Sequence, residues 1–266
     1  MSIGTGDIID DAMTAAKISL DSVYIGWLDR DMLFKRNAIS FDPTINLSNN
    51  AGKSGGAAVA TTRYSNENNV YVAWPDNSLG HYDILYRRST DGGANFGGAL
   101  NISNTTGDSS LAALAADGNN VYVVWSDNSS GNPEILYSRG TNGGANFRGA
   151  VNISNTTGFS SQPAVAASGQ NVYVVWFDNS WGNLDILHSR SINGGANFGS
   201  PVNISNTTGD SSQPAVAAFG DIVYGQYVYV VWSDNSSGNS EILYSRSING
   251  GANFGSPVLS RLILLL

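Results

Sequence analysis

The chain repeats itself every 51 residues, and no other feature narrows its folding choices as much. The block Asn-Ile-Ser-Asn-Thr-Thr-Gly starts at Asn101, Asn152 and Asn203, 51 residues apart each time. Trp74, Trp125 and Trp176 keep the same spacing. Trp232 follows after 56, because Asp221 to Tyr227 contains five extra residues, and Trp27 precedes Trp74 by 47 in a degraded first copy. Five copies result, at about 12–47, 55–102, 108–153, 159–204 and 211–258. A long repeat of this kind buries its core only against its neighbours, as in propellers and stacked arrays.

Each copy reads as four short strands. Val121-Tyr122-Val123-Val124-Trp125 is β-branched and aromatic throughout, as a strand buried on both faces should be. An Ala/Val run such as Pro163 to Ala167 precedes it. After it come an Asn/Ser/Gly loop, the segment Glu134 to Arg139, a glycine turn (Asn142-Gly143-Gly144) and a last strand at Ala150 to Ile153. Four strands in tandem units of this length predict an all-β chain, a β-propeller of four-stranded antiparallel blades. Five blades are expected, with six as the alternative. Ala12 to Trp27 aligns without gaps with Ser110 to Trp125, which supports a complete first blade. The propeller domain is expected to span 12–258. Residues 1–11 form a lead-in that resembles the stalk repeats of surface fibres, and 259–266 form an apolar tail.

Composition removes several functions. The net charge is −8, with 13 Lys+Arg against 21 Asp+Glu, so no positive field awaits nucleic acid or anionic lipid. No apolar run reaches the ~20 residues of a membrane span. There is no cysteine, which excludes disulfides and thiol catalysis, and only two histidines, which gives histidine-rich metal sites and Ser-His-Asp triads little support. Charged residues are only 13% of the chain, so surface polarity falls to 35 Ser, 31 Gly and 30 Asn concentrated in the loops.

The turns between third and fourth strands read STDGGANF (Ser89 to Phe96), GTNGGANF (Gly140 to Phe147) and, twice, SINGGANF (Ser191 to Phe198, Ser247 to Phe254). They resemble the Asp-box (BNR) repeat, Ser-X-Asp-X-Gly-X-Thr-Trp, of sialidase-like propellers. The side chain at Asp91, Asn142, Asn193 or Asn249 is expected to accept turn N–H bonds. The rings of Phe96, Phe147, Phe198 and Phe254 are expected to pack beneath. Only Asp91 keeps the aspartate, and the first copy has lost the box. In that family the box is a structural turn on the outer rim, so the resemblance implies a fold more than an activity.

The resemblance also implies what a sialidase would need: three arginines on a substrate carboxylate, a Tyr nucleophile aided by Glu, and an Asp acid/base. Such needs are asymmetric, whereas Arg36, Arg88, Arg139, Arg190 and Arg246 share one repeat position and read as blade-holding contacts. Glu134 and Glu241 are repeat-equivalent to Asp83 and Asp185, and Glu67 lies in a polar insertion. No catalytic residues are therefore assigned, and the reading leans away from an enzyme.

Loops between strands two and three and between blades should share one face, where propellers usually bind ligands. The fourth copy departs there: Phe159 replaces Asp108 and Asp210, Phe177 replaces Ser126 and Ser233, and Trp181 replaces Ser130 and Ser237. Exposed aromatics beside Asp178 and Asn183 would suit sugar stacking or a protein contact. Asp127, Ser129 and Glu134 are hard oxygen donors, a minor calcium alternative to self-capped turns. No other cofactor is expected. Nine Asn-X-Ser/Thr sequons, Asn46 to Asn235, would matter only in an exported protein. The expectation is an extracellular or cell-surface recognition or structural propeller binding glycan or protein, with the termini a candidate self-association surface. An exo-sialidase or other glycoside hydrolase is the alternative; a structural subunit of a surface layer, fibre or virion is another.

Overall fold

The computed structural model describes residues 43–64, 67–221 and 225–259. The chain divides into two compact units, Met1–Ile45 and Asn46–Leu266, and every sheet below lies in the second. The expected first blade up to residue 42, the lead-in and the tail beyond Leu259 lie outside the described residues.

The described residues are all-β, in four antiparallel sheets whose first three strands follow chain order. Sheet I holds β1 (Ala58–Tyr64), β2 (Glu67–Asp76), β3 (Asp83–Ser89) and β4 (Leu100–Asn101). Sheet II holds β5 (Ser109–Asp117), β6 (Asn120–Asp127), β7 (Glu134–Thr141), a short β8 (Asn146–Phe147) and β9 (Val151–Asn152). Sheet III holds β10 (Ser160–Ser168), β11 (Asn171–Asp178), β12 (Asp185–Ser191) and β13 (Val202–Asn203). Sheet IV holds β14 (Ser211–Asp221), β15 (Gly225–Asp234), β16 (Glu241–Ser247) and β17 (Val258–Leu259). The five extra residues lengthen the β14–β15 hairpin, closed where Asp221 pairs Gly225.

Sheets join face to face through alternate residues of their second strands. Tyr71, Ala73, Ile84 and Tyr86 of sheet I pack on Val121, Val123 and Trp125 of sheet II. The pattern recurs with Tyr122, Val124, Ile135 and Tyr137 on Val172, Val174 and Trp176. It recurs again with Tyr173, Val175 and Ile186 on Val228, Val230 and Trp232. The period of two in these strands thus supplies one side chain set to each neighbour, which is why they read as continuous apolar runs. At roughly 25 cal/mol per Å² and about 200 Å² buried, each tryptophan contributes about 5 kcal/mol of transfer energy.

The glycine turns are docking points as well as turns. In sheet III, Ser191 Oγ donates to Asn193 Oδ1 (2.8 Å) and accepts from Gly195 N (2.9 Å), while Asn197 N donates to Asn193 Oδ1 (3.0 Å). Asp91 and Asn249 hold the same bonds in their turns. One carbonyl oxygen is enough, so asparagine replaces aspartate without loss of the turn. Sheet II differs from expectation. Gly140 stands in place of the serine, and without its hydroxyl Asn142 turns to φ 54° and Ala145 N donates to Thr141 O (3.0 Å). Asn142 therefore acts through its backbone. Phe147, Phe198 and Phe254 pack edge-on against Tyr86, Tyr137 and His188 of the preceding sheet, with centroids 4.7, 4.7 and 5.0 Å apart. Phe96 is half-buried.

Candidate functional site

One end of the sheets is knitted from the loops after each second strand and the loops between sheets. Asp127, at the end of β6, accepts Thr105 Oγ1 and Ser109 Oγ on one oxygen (both 2.7 Å) and Ser129 N on the other (2.9 Å). Burial alone would raise its pKa, but the hydroxyls of Ser129, Ser109 and Thr105 outweigh burial and hold it below the usual carboxylate range. Asp234 is held down in the same way by Ser236, Thr207 and Ser211 against the cost of burial. The candidate calcium donors take part in the same network of loop bonds. Ser129 spends its hydroxyl proton on Asp127, and Glu134 takes the hydroxyl of Ser154 and the amide of Thr156. Among the described residues no group of three His, Asp or Glu could hold a metal ion.

The five expected ligand residues separate. Asp178 is buried and accepts Thr156 Oγ1 and Ser160 Oγ (both 2.6 Å) and Ser180 N (2.8 Å), so it is a loop clamp like Asp127. Asn183 Nδ2 donates to Gly209 O (2.7 Å) and Thr207 O (3.2 Å), tying its loop to the next one. Phe177 is buried rather than exposed, and Phe159 packs edge-on against it at 5.3 Å. The reason is a neighbouring substitution. Asp108 and Asp210 accept the backbone N–H of Tyr82 and Leu184, but the residue facing Phe159 is Pro133, which has no N–H. An aspartate there would lose its donor, and an aromatic pair fills the place. Only Trp181 stands out, 58% exposed, on a turn closed by Gly182 N to Asn179 O (3.1 Å).

A second place is where first strands meet. Gly56, just before β1, and Leu111, Ala112, Gln162, Pro163, Gln213 and Pro214 of sheets II to IV line an open cavity of about 410 Å³. A bulge precedes Ala113, Ala164 and Ala215 in β5, β10 and β14, and there Leu111, Gln162 and Gln213 hold φ of 52–54°, left-handed values costly for such residues. Gln213 N donates to Gln162 Oε1 (2.9 Å). No arginine or carboxylate lines this cavity among the described residues.

The arginines are elsewhere. Arg88 Nη1 donates to Asn142 O (3.0 Å) and Gly143 O (2.7 Å) of the next sheet's turn, and Arg190 Nη1 donates to Gly250 O (2.5 Å). These two are the sheet-to-sheet contacts expected from their repeat position. Arg139 hydrogen-bonds within its own sheet instead, its Nε and Nη2 on Asn120 Oδ1, while its guanidinium lies beside Gly194 of the next turn. Sequence reasoning also passed over a strip of stacked rings, Phe219, Tyr227, Tyr229 and Tyr244, with centroid steps of 5.4, 6.5 and 6.4 Å. The signal for it was the five-residue insertion, which lengthens that hairpin alone.

With the geometry in place, solved structures supply the comparison. Trypanosoma rangeli sialidase in complex with sialic acid is similar over 78% of this chain, with TM-score 0.54 and 11% identity. A second structure of Trypanosoma rangeli sialidase is similar over 77%, with TM-score 0.53 and 12% identity. The fold is that of a sialidase-like β-propeller. The chain spans 37–38% of the length of those structures. No protein-family model and no curated protein sequence matches it.

Proposed function

We propose that the chain is an exported or surface-displayed recognition propeller that binds glycan through its loop face and does not catalyse. The glycine turns are read as degenerate Asp-boxes, and the five repeat copies as five blades. Trp181 carries the reading. It is a large exposed ring where the neighbouring copies have Ser130 and Ser237, on a loop whose polar partners are already engaged. An exposed indole beside amides and hydroxyls suits the apolar face of a sugar. Titration calorimetry with galactose-terminated and sialic-acid-terminated oligosaccharides tests it. Trp181→Ala should abolish binding and move stability by less than about 0.5 kcal/mol, as for an exposed surface site. Unchanged binding by that variant would reject Trp181 as the contact.

A second reading, an exo-sialidase or other glycoside hydrolase, is favoured by the likeness to sialidase structures. At 11–12% identity that likeness carries the fold alone. Against the second reading stand Arg88 and Arg190, both committed to backbone carbonyls, and a cavity where the first strands meet that has no charged lining among the described residues.

A further inference from the structure

The groove between sheets II and III carries two arginines, Arg139 and Arg148, and no carboxylate in its lining; an acid, Asp117, acts with Arg139 on Tyr122 behind it. The groove's volume is about 510 Å³. Arg148 breaks the repeat, standing where the other copies have Gly97, Gly199 and Gly255. Its N–H donates to Arg139 O (3.1 Å), which makes the two arginines cross-strand neighbours. Like charges so placed are unfavourable. In a chain of net charge −8 a carboxylate partner would be easy to supply. Among the described residues no arginine makes an ion pair.

Arg139 departs as well. Its Nε and Nη2 share Asn120 Oδ1 (3.2 and 2.9 Å), so Nη1 keeps both protons without a partner among the described residues. Burial pushes the neighbouring Tyr137 phenol up, and both arginines lie close enough to oppose that rise. The remaining walls are neutral: the amides of Asn155 and Asn197, the hydroxyl of Ser200 and the ring of Phe198. A groove this size is in the ordinary range for a small organic ligand and far exceeds a simple anion.

We propose that this groove binds an acidic saccharide, its carboxylate held by Arg139 and Arg148 and its hydroxyls by the flanking amides. Guanidinium groups match carboxylate geometry, and amide-rich walls with one ring match a sugar. The site lies on the fourth-strand side of the sheets and does not depend on Trp181.

Calorimetry with trigalacturonate tests it, with maltotriose as the neutral trisaccharide and sodium acetate as the free carboxylate. Trigalacturonate should bind, and more weakly at about 0.5 M salt, where charges are screened. Arg148→Gly, which installs the repeat's own residue, should cut affinity at least tenfold with the unfolding midpoint preserved or raised. Arg139→Lys, which keeps charge but loses the planar fork, should also weaken binding. Equal binding of maltotriose or acetate, an unchanged affinity in Arg148→Gly, or no trigalacturonate binding by the folded protein would overturn the proposal. Because Arg148→Gly acts here and Trp181→Ala acts at the loop face, the two readings fail separately.

Discussion

Replacing Gly195 with alanine strains the join between sheets II and III in separable ways. Gly195 sits at φ 78° in the β12 turn, and its carbonyl accepts the hydroxyl of Tyr137 from sheet II at 3.1 Å. A left-handed alanine costs about 1–2 kcal/mol. A β-carbon there would fall on the Tyr137 hydroxyl. Moving the tyrosine loses a hydrogen bond worth about 1 kcal/mol and overpacks the interface by about 1–3 kcal/mol. The total is roughly 3–6 kcal/mol. Gly93, at the matching place in sheet I, has φ 95° but meets nothing nearer than Val70 at 3.9 Å, so Gly93→Ala should cost only the backbone part, about 1–2 kcal/mol. Urea unfolding followed by tryptophan fluorescence measures both. Tyr137→Phe removes the oxygen that clashes, so in the Gly195→Ala background it should recover stability although it costs about 1 kcal/mol alone. Equal losses at Gly93 and Gly195, or strict additivity with Tyr137→Phe, would refute the docking role of the second glycine.

His188 occupies the position of Tyr86, Tyr137 and Tyr244, and burial followed by the charge of Arg190 holds its imidazole down at about 3. Its folded pKa lies below the ordinary 6.5, so the unfolded chain binds the proton first and stability falls as pH drops from 6.5 towards 3. His188→Tyr should flatten the urea midpoint between pH 6.5 and 4, and an unchanged slope would reject this assignment. Phe159→Asp should destabilise by about 2–3 kcal/mol, because the new carboxylate faces Pro133 without a donor and the Phe177 ring loses its partner. Adding Pro133→Leu, which restores an N–H, should recover part of that loss in the same urea assay.

The all-β class and the strand positions were legible because β-branched and aromatic runs alternate with Asn/Gly turns in every copy. Val121 to Trp125 reads as a strand buried on both sides, and it is one. The candidate site was legible only in part. Departure from the repeat marked Phe159, Phe177 and Trp181, but departure alone does not separate a ligand contact from a compensated swap. Pro133 decides the case for Phe159, and it lies 26 residues away in sequence, across a sheet-to-sheet junction. Asp178 looked like a ligand donor because a sequence shows a carboxylate but not the hydroxyls converging on it. Arg139 reads as a repeat residue and Arg148 as a departure from the repeat, and sequence gives no sign that they converge. Only the β7 turn makes them neighbours.

Recognition without catalysis is the central claim, and hydrolysis of a fluorogenic sialoside by the full chain tests it most directly. The arginine geometry predicts no release of fluorophore above buffer across pH 4–8, with the protein folded throughout. Turnover that rises with protein concentration and is stopped by a sialic acid analogue would contradict it.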